Sequence, residues 1–426
     1  MLHLVLKDIL KQLRYLVPDL KLSKYKINMP NLRQLFLAHL APTSEFPLMI
    51  EIERGEGVYL YDPKGKSYLD LISGIGVSGL GHCHPLVVDA VKKQSERYLH
   101  TMVYGEYVLS PQVELASLLA KVLPDPLDSV YFVNSGTEAT EGAMKLAKRY
   151  TGRSEIISCY KSYHGSTQGA ASLMSDDYFT QAYRPLLPGI SHIEFNDESD
   201  LNRITEKTAA VIVETVQGEW GVRPPINNYL KKLRERCTEM GTLLVLDEIQ
   251  AGYGRTGSLF AFEQYDIVPD ILLLAKGMGG GMPIGAFIAA KEIMQVFSVN
   301  PLLGHITTFG GHPVSCAAAL ATLKHLLESD YISKVKEKEA LFKKLLIHPA
   351  IIEVRSAGLM MAVELQDFDF VQAVIKDCLN EGLIIDWFLF NDRSLRIAPP
   401  LIITPIEIEK ACLIILKAID KYSPTS

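Results

Sequence analysis

The sequence predicts an α/β protein with a large, mainly parallel β-sheet covered by helices, followed by a smaller α+β region. Between about residues 66 and 308, short apolar runs without polar alternation are separated by amphipathic helical patterns. Such runs are typical of strands that are buried on both faces of a parallel sheet. After residue 308 the pattern changes to helices mixed with shorter strand-like runs. The sequence therefore predicts two domains of unequal size.

Each strand predicted for the large domain corresponds to a separate apolar run in the sequence. The predicted strands are SVYFV at 129, EIISC at 155, AAVIVE at 209, LLVLD at 243, DILLLAK at 270 and IGAFIAA at 284. Helical patterns such as GTEATEGAMKLAKRYTG and YLKKLRERCTEMG lie between them. In the smaller region the pattern predicts helices from Pro313 to Leu327, from Tyr331 to Leu346, near Phe368 to Glu381 and from Pro405 onward.

The first residues, MLHLVLKDILKQLRYLVPDL, are apolar but are interrupted by Lys7, Lys11 and Arg14. They therefore predict a short amphipathic helix and neither a signal peptide nor a membrane span. Organised sequence begins near Met29, and we interpret residues 1–28 as an N-terminal extension, with Met29 as an alternative start. The predicted domain ranges are 29–65 for the N-terminal part of the small domain, 66–308 for the large α/β domain and 309–426 for the C-terminal small α+β domain.

Composition excludes several classes of function. The 426 residues carry a net charge of -6 with acids and bases interspersed, so neither nucleic acid nor an anionic membrane is an expected partner. Six widely spaced cysteines form no Cys-x-x-Cys pair, which is typical of reduced thiols and favours a cytoplasmic location.

Ionisable residues follow two of the predicted strands. The run LLVLD ends at Asp247, and the run DILLLAK ends at Lys276 before a glycine-rich loop. Ligands bind at the carboxyl ends of parallel strands, and burial lowers the pKa of an amine, which favours the uncharged nucleophile of Schiff-base chemistry. A buried acid beside a pyridine nitrogen keeps that nitrogen protonated. The two residues therefore indicate pyridoxal phosphate.

A phosphate site is also indicated. In VYFVNSGTEATEGAMKLAKR, a strand leads into a helix that opens with Ser135, Gly136 and Thr137. Free backbone N–H groups at a helix start bind anions, although the same turn is equally well explained as an ordinary N-cap.

Two other kinds of site are less well supported. Asp247 and Glu248 resemble the magnesium-binding acid of a nucleotide hydrolase, but the sequence contains no G-x-x-x-x-G-K-[ST] loop. His82 and His84 suggest a metal pair without a third ligand, so the sequence predicts no metal site.

Seven motifs appear in a characteristic order: NSGTEATEGAMKLAKR, YHGST, VQGEWGV, LDEIQAGYGRTG, LLLAKGMGGGMPIGA, TFGGHPVSCAAAL and LRIAPPL. Together they resemble the class III aminotransferases, the group that includes ornithine, acetylornithine and 4-aminobutyrate aminotransferases. The resemblance covers about residues 45 to 420. It implies fold type I, pyridoxal 5'-phosphate as the cofactor, and a homodimer with shared active sites.

The resemblance also implies roles for individual residues. Lys276 would form the Schiff base and move the proton, and Asp247 would pair with the pyridine nitrogen. Tyr163 would stack on the ring, and Gln250 would contact the ring hydroxyl. The phosphate would be bound by Ser135, Gly136 and Thr137, and by Thr308 from the partner subunit.

The implied reaction moves an amino group from an amino acid or an ω-amine to a 2-oxo acid, most simply 2-oxoglutarate, with ping-pong kinetics. Arg396, Glu219 and Thr307 would contact the substrate, with Arg396 binding a carboxylate and Glu219 covering it otherwise. Two residues depart from the family pattern, namely Ser166, where an arginine is common, and Trp220, where a small residue is usual. An aminomutase, racemase or decarboxylase on the same scaffold is the main alternative, and a noncatalytic binding protein is a second.

Overall fold

The structure, a computed structural model, describes residues 31–422. The helix predicted within residues 1–28 lies outside the described residues. The chain divides into two compact units, Met1–Glu51 and Ile52–Ser426. In the first unit, helix α1 (Leu32–His39) follows Asn31, and the side chains of Asn31 and Gln34 each accept the other's backbone N–H.

The second unit contains three β-sheets. The first sheet has four strands, of which the first three are β1 (Arg54–Glu56), β2 (Tyr59–Tyr61) and β3 (Ser67–Asp70). The large sheet contains β4 (Ser129–Val133), β5 (Glu155–Cys159), β6 (Ile190–Ile193), β7 (Thr208–Glu214), β8 (Leu243–Asp247), β9 (Ile271–Leu274) and β10 (Gly285–Ala289). The remaining strands are β11 (Glu353–Ser356), β12 (Met361–Glu364), β13 (Leu383–Ile384), β14 (Asp386–Trp387) and β15 (Ser394–Ile397).

Eight longer helices accompany these sheets in the described part of the second unit. They are α2 (Pro85–Arg97), α3 (Ser110–Val122), α4 (Gly136–Thr151), α5 (Tyr229–Met240), α6 (Pro313–Glu328), α7 (Val335–Leu345), α8 (Phe368–Asn380) and α9 (Pro405–Tyr422). Short turns of helix occupy Gln168–Ala171 and Lys276–Gly279, both of which adjoin the site described below. Within residues 31–422, no helix combines the length and apolarity that crossing a membrane requires.

The large sheet confirms the predicted α/β fold. Its strand order is β4-β10-β9-β8-β7-β5-β6, and only β10 runs antiparallel to its neighbours. Every residue of β7, β8, β9 and β10 is buried, which explains why these runs lack polar alternation. Strand β6 was not predicted, because its edge position leaves three of its four residues only partly buried and its sequence, ISHI, is not a continuous apolar run.

The C-terminal region forms a smaller layer of helices and strands. Strands β11, β12, β15 and β14 make an antiparallel sheet, and β13 pairs in parallel with β3. The pairing of β13 with β3 joins the strands that precede the large sheet to the chain that follows it. The domain ranges 29–65, 66–308 and 309–426 stay predictions.

Parallel pairing brings three strand ends to one edge of the large sheet. Glu214, the last residue of β7, lies opposite Asp247, the last residue of β8. Lys276 follows β9 by two residues, and helix α4 begins three residues after β4. This edge therefore gathers the residues from which a site can be built.

Helix α4 packs closely on the sheet at Gly142, where an added Cβ would overlap the ring of Phe287 on β10. Alanine normally favours a helix over glycine, but this buried ring has no space to move. We expect Gly142→Ala to lower the free energy of unfolding by about 1–3 kcal/mol, as overpacking does. The apparent melting temperature measures the effect, with Lys145→Ala on the exposed face of α4 as the control. A Gly142→Ala protein as stable as the parent would contradict the packing described here.

Candidate active site

A cavity of about 520 Å³ lies at the carboxyl ends of β7, β8 and β9. It brings together most of the site residues predicted from the sequence. Those that line it are Ser135, Gly136, Thr137, Tyr163, Asp247, Gln250 and Lys276. Its other walls include apolar side chains such as Val77, Ile249 and Met282.

Asp247 is held in the cavity wall by two hydrogen bonds. Its Oδ2 accepts from Nδ1 of the buried His164 at 2.7 Å, and its Oδ1 accepts from the backbone N–H of Ile249 at 3.0 Å. Burial disfavours a charged imidazole, but the hydrogen bond and negative charge of Asp247 outweigh this effect and raise the pKa of His164. The pair keeps the carboxylate fixed in the cavity wall.

Glu248 does not line the cavity and binds a neighbouring loop instead. Its carboxylate accepts hydrogen bonds from the backbone N–H groups of Ala261 and Phe262, both at 2.6 Å, and from the Thr215 hydroxyl at 2.9 Å. Burial raises the pKa of Glu248 to about 7. The two adjacent acids therefore differ in function, because Asp247 lines the cavity and Glu248 holds a loop.

Lys276 is the cavity's amine. Burial lowers its pKa, and the negative charge of Glu219 opposes that shift. Its backbone φ of 45° lies in the left-handed region, so the turn after β9 fixes where the side chain begins. A lowered pKa favours the uncharged form of the amine, which is the nucleophile that Schiff-base chemistry requires.

The start of α4 forms the other end of the cavity. Ser135 caps the helix by accepting the N–H of Glu138 at 3.3 Å, and the first N–H groups of a helix lack carbonyl partners within it. A Cβ on Gly136 would lie 2.8 Å from the Ile249 side chain, and a Cβ on Gly165 would overlap the Thr137 hydroxyl. Glycine at these positions lets the backbone pack closely against Ile249 and Thr137 beside the helix start.

The segment around Tyr163 carries one of the two departures from the family pattern. The Tyr163 hydroxyl shares a hydrogen bond of 2.9 Å with the Ser166 hydroxyl, and both residues line the cavity. Ser166 therefore adds a neutral hydroxyl to the wall. The other departure, Trp220, packs its ring 5.1 Å from the Arg223 guanidinium and is not among the described residues that line the cavity.

Arg396 and Glu219 meet beside the cavity. The Arg396 guanidinium donates to Oε2 of Glu219 at 2.5 Å, and both side chains are buried. Gln250 donates to the other Glu219 oxygen at 3.4 Å, which links the pair to the cavity wall. Burial alone would raise the pKa of Glu219, but the charges of Arg396 and Lys276 hold it below its ordinary value.

Thr307 and Thr308 lie outside the cavity of this single chain. Thr307 accepts a hydrogen bond from the Asn134 amide at 3.1 Å, and Asn134 lines the cavity. Thr308 is exposed. Neither residue reaches Lys276 or Asp247 by a hydrogen bond within the described residues.

The sequence prediction missed two buried residues of the site. His164 holds Asp247, and Glu214 accepts the N–H groups of Tyr163 at 3.0 Å and Gly218 at 2.7 Å. Burial raises the pKa of Glu214 to about 7. The signal for Glu214 was its place at the end of the run AAVIVE, which matches the place of Asp247 at the end of LLVLD.

Comparison with known proteins identifies the family. Residues 40–419 match the family "Aminotransferase class-III". The chain belongs to the class III aminotransferases.

Individual relatives agree with this assignment. The acetylornithine aminotransferase of Methanopyrus kandleri is 42% identical over 378 residues, which cover 88% of this chain and 94% of that protein. A transaminase from the marine bacterium Virgibacillus has a similar structure, with a TM-score of 0.86, 28% identity and coverage of 92% and 98%. The ornithine aminotransferase of Toxoplasma gondii gives a TM-score of 0.84, 31% identity and coverage of 91% and 94%, and its active site is described with partial occupancy of PLP.

This aminotransferase therefore uses pyridoxal 5'-phosphate and transfers an amino group from an amino donor to a 2-oxo acid. The aminomutase, racemase or decarboxylase alternative is not favoured. The cavity suits the cofactor, because a helix start, a buried amine and a buried carboxylate face the same space. Among residues 31–422, no group of three or more histidine, cysteine or acidic side chains is arranged to hold a metal ion.

The lowered pKa of Lys276 makes stability depend on pH. The folded protein binds this proton less tightly than the unfolded chain does, so the cost of burying a charged amine falls as pH rises. In the cofactor-free protein, Lys276→Met should therefore be more stable than the parent near neutral pH. This advantage should shrink as pH approaches the ordinary lysine value of about 10.4.

Melting temperatures of both cofactor-free proteins between about pH 7 and pH 10 measure the difference. Lys64→Met, at an exposed turn, makes the same substitution away from the buried site and is the control. A gain from Lys276→Met that stays constant across this range would contradict the assigned burial.

Proposed function

We propose that the chain transfers an amino group from a primary-amine donor to a 2-oxo acid, with 2-oxoglutarate as the simplest acceptor, in two half-reactions at one site. The observation that carries the proposal is that Lys276 and Asp247, from the ends of neighbouring strands, line one cavity. Pyridoxal phosphate, when bound, supplies the electron sink that loosens the bond to hydrogen at the substrate carbon.

Residues of the chain would move the proton and hold the cofactor. Nζ of Lys276 would take the proton from the substrate carbon that bears the amine and pass it to the cofactor, and would move it in the opposite direction in the second half-reaction. The Asp247 carboxylate would stabilise a positive ring nitrogen, and His164 would hold that carboxylate in place. The N–H groups at the start of α4, at Gly136 and Thr137, would bind the phosphate, with Tyr163 covering the ring.

Arg396 and Glu219 would select between substrates. A substrate carboxylate would form a bidentate pair with Arg396 by displacing Glu219, which accepts from one nitrogen of the guanidinium. A donor without a carboxylate at this point would leave the buried ion pair in place. The same site could then accept both a primary amine and a 2-oxo acid.

The donor is proposed only as a class. The related Methanopyrus protein is an acetylornithine aminotransferase, so N-acetylornithine belongs in any donor panel. In this chain Ser166 bonds to Tyr163 and supplies no positive charge. We therefore propose a donor that needs no cation at that wall, with side-chain amines and α-amino acids both to be compared.

We also propose that the active enzyme is a homodimer in which Thr308 completes the phosphate site of the partner subunit. Support comes from the surroundings of the exposed Thr308. Large apolar side chains beside it are exposed in the single chain, namely Leu302, Leu303, Ile306 and Phe309. Such a patch is typical of a protein interface.

A cytoplasmic location is proposed as well. All six cysteines are free thiols, and five of them are buried. Reduced thiols are typical of proteins in a reducing compartment.

The function is tested first by the absorption spectrum of the purified protein. A yellow band that bleaches with one amine donor and returns on addition of 2-oxoglutarate would support amino transfer and name the donor. Two-substrate initial rates should give the parallel lines of a ping-pong reaction. A protein that is neither yellow nor reconstituted by pyridoxal phosphate would contradict the proposal.

Asp247→Asn should leave the protein folded and able to bind the cofactor, because asparagine has the same shape. It should reduce turnover by about 100-fold or more, since the ring nitrogen loses its anionic partner. Steady-state turnover and the bound-cofactor absorbance measure the two effects separately. Near-normal turnover would remove Asp247 from the proposed chemistry.

Arg396→Lys keeps the positive charge but loses the planar guanidinium that can donate two parallel hydrogen bonds to a carboxylate. We expect the KM for the 2-oxo acid to rise about tenfold or more, while the half-reaction of a carboxylate-free amine changes little. Arg393→Lys, an exposed arginine just before the same strand, is the matched control. An unchanged KM for the 2-oxo acid would show that Arg396 does not bind its carboxylate.

A further inference from the structure

One face of helix α4 holds the segment Tyr163–Ala170 by hydrogen bonds. The residues responsible are Thr137, Thr140 and Glu141, whose spacing of three and four places them on one side of the helix. The segment they hold carries Tyr163, whose hydroxyl shares a hydrogen bond with Ser166 in the cavity wall, and His164, which bonds to Asp247. The inner face of α4 thus touches several parts of the site at once.

Glu141 makes the most contacts on this face. Its Oε1 accepts from the Thr167 hydroxyl at 2.6 Å and from the N–H groups of Gly169 at 2.9 Å and Ala170 at 3.1 Å. Those two N–H groups begin the short helix Gln168–Ala171, where they have no carbonyl partner within the helix. A Cβ on Gly169 would overlap the Glu141 carboxylate, so glycine allows this approach.

The direction of these hydrogen bonds matters for Thr137. Because an ionised Glu141 can only accept, the Thr167 hydroxyl must donate its single hydrogen to Glu141. In the 2.7 Å contact between the two threonine hydroxyls, Thr137 is therefore the donor. The Thr137 oxygen also accepts the N–H of Thr167 at 3.2 Å. With Glu141 in place, the Thr137 hydrogen points to Thr167, and the backbone N–H of Thr137 is left for an anion.

A second contact ties the same face to His164. The Thr140 hydroxyl donates to the His164 carbonyl oxygen at 2.9 Å. Gly165 follows with a φ of 131°, which favours glycine and brings the chain back against Thr137. The path from Tyr163 to Thr167 is therefore fixed at both ends by α4.

We infer that Glu141 is a positioning residue for the cofactor site, because its carboxylate fastens the Tyr163–Thr167 segment to the helix whose start faces the phosphate. It sets the position of the Tyr163 ring and of His164, and through Thr167 it fixes the direction of the Thr137 hydroxyl. This inference rests on the proposed cofactor contacts of Tyr163 and the α4 start. Glu141 itself does not line the cavity.

The test compares cofactor binding by the full chain in four proteins: the parent, Glu141→Ala, Glu141→Gln and Thr167→Val. Equilibrium dialysis gives the dissociation constant of pyridoxal phosphate, and visible circular dichroism of the bound cofactor reports the orientation of its ring. Glutamine keeps one accepting oxygen, and valine removes only the hydroxyl between Glu141 and Thr137. Glu235→Ala, an exposed helical glutamate on α5, is the matched control.

Glu141→Ala should raise the cofactor dissociation constant by about tenfold or more and reduce the circular dichroism per bound cofactor. Thr167→Val should also raise the dissociation constant and reduce the circular dichroism, but by smaller amounts. Glu141→Gln should stay within about threefold of the parent, because it retains an acceptor. A purely structural effect would lower the melting temperature without changing the circular dichroism of the cofactor that remains bound.

Folded Glu141→Ala protein with the parent's dissociation constant and circular dichroism would overturn the inference. If that variant does not fold, unchanged values for Thr167→Val would overturn it. Tyr163→Ala separates this failure from failure of the proposed site. If Tyr163→Ala changes the circular dichroism and Glu141→Ala does not, only the positioning inference is wrong. If neither changes it, the proposed ring contact is wrong as well.

Discussion

The burial of the Asp247 carboxylate is the constraint on which much of this site depends. A carboxylate at the end of a fully buried strand must find hydrogen bonds, and here it receives them from His164 and from the N–H of Ile249. Glu214 ends the neighbouring strand in register with it and is also buried. Its two oxygens accept backbone N–H groups on either side, at Tyr163 and Gly218. Acids at adjacent strand ends thus organise the loops that surround the cavity.

Helix α4 contributes to the site in two ways. Its start faces the cavity, where unpaired N–H groups and glycine suit a phosphate. Its inner face bonds to the segment that carries Tyr163 and His164. One helix therefore connects the proposed phosphate-binding end of the cavity with the segment that carries Tyr163 and His164. Helix packing on the buried sheet, including the close approach at Gly142, gives both ends a rigid base.

The residues proposed to select the substrate come from different parts of the fold. Arg396 lies on β15 in the small antiparallel sheet, whereas Glu219 follows β7 of the large sheet. Their buried ion pair is held further by the N–H of Leu389, which donates to Glu219 at 3.2 Å. Exchange of Glu219 for a substrate carboxylate would break these contacts, so its free-energy cost is set by the fit between the two layers.

Sequence patterns were enough to predict the fold class, the family and the presence of Asp247 and Lys276 at one edge of the sheet. Continuous apolar runs indicate strands that are buried on both faces. A polar residue at the end of such a run lies at the carboxyl edge of the sheet, where ligands bind. The edge strand β6 left no such run, because an edge position is only partly buried. The motifs then gave a list of site residues whose individual functions stay predictions.

Which of the polar residues face the same cavity became clear from the packing of the folded chain. Asp247 and Glu248 are adjacent in sequence, yet one faces the cavity and the other bonds to a loop, because successive side chains of an extended chain point in opposite directions. The hydrogen bond between His164 and Asp247 joins residues 83 positions apart in sequence. The hydrogen bond between Thr167 and Glu141 joins residues 26 positions apart. Local patterns carry no information on such distant pairings, which depend on how helix, loop and strand pack together.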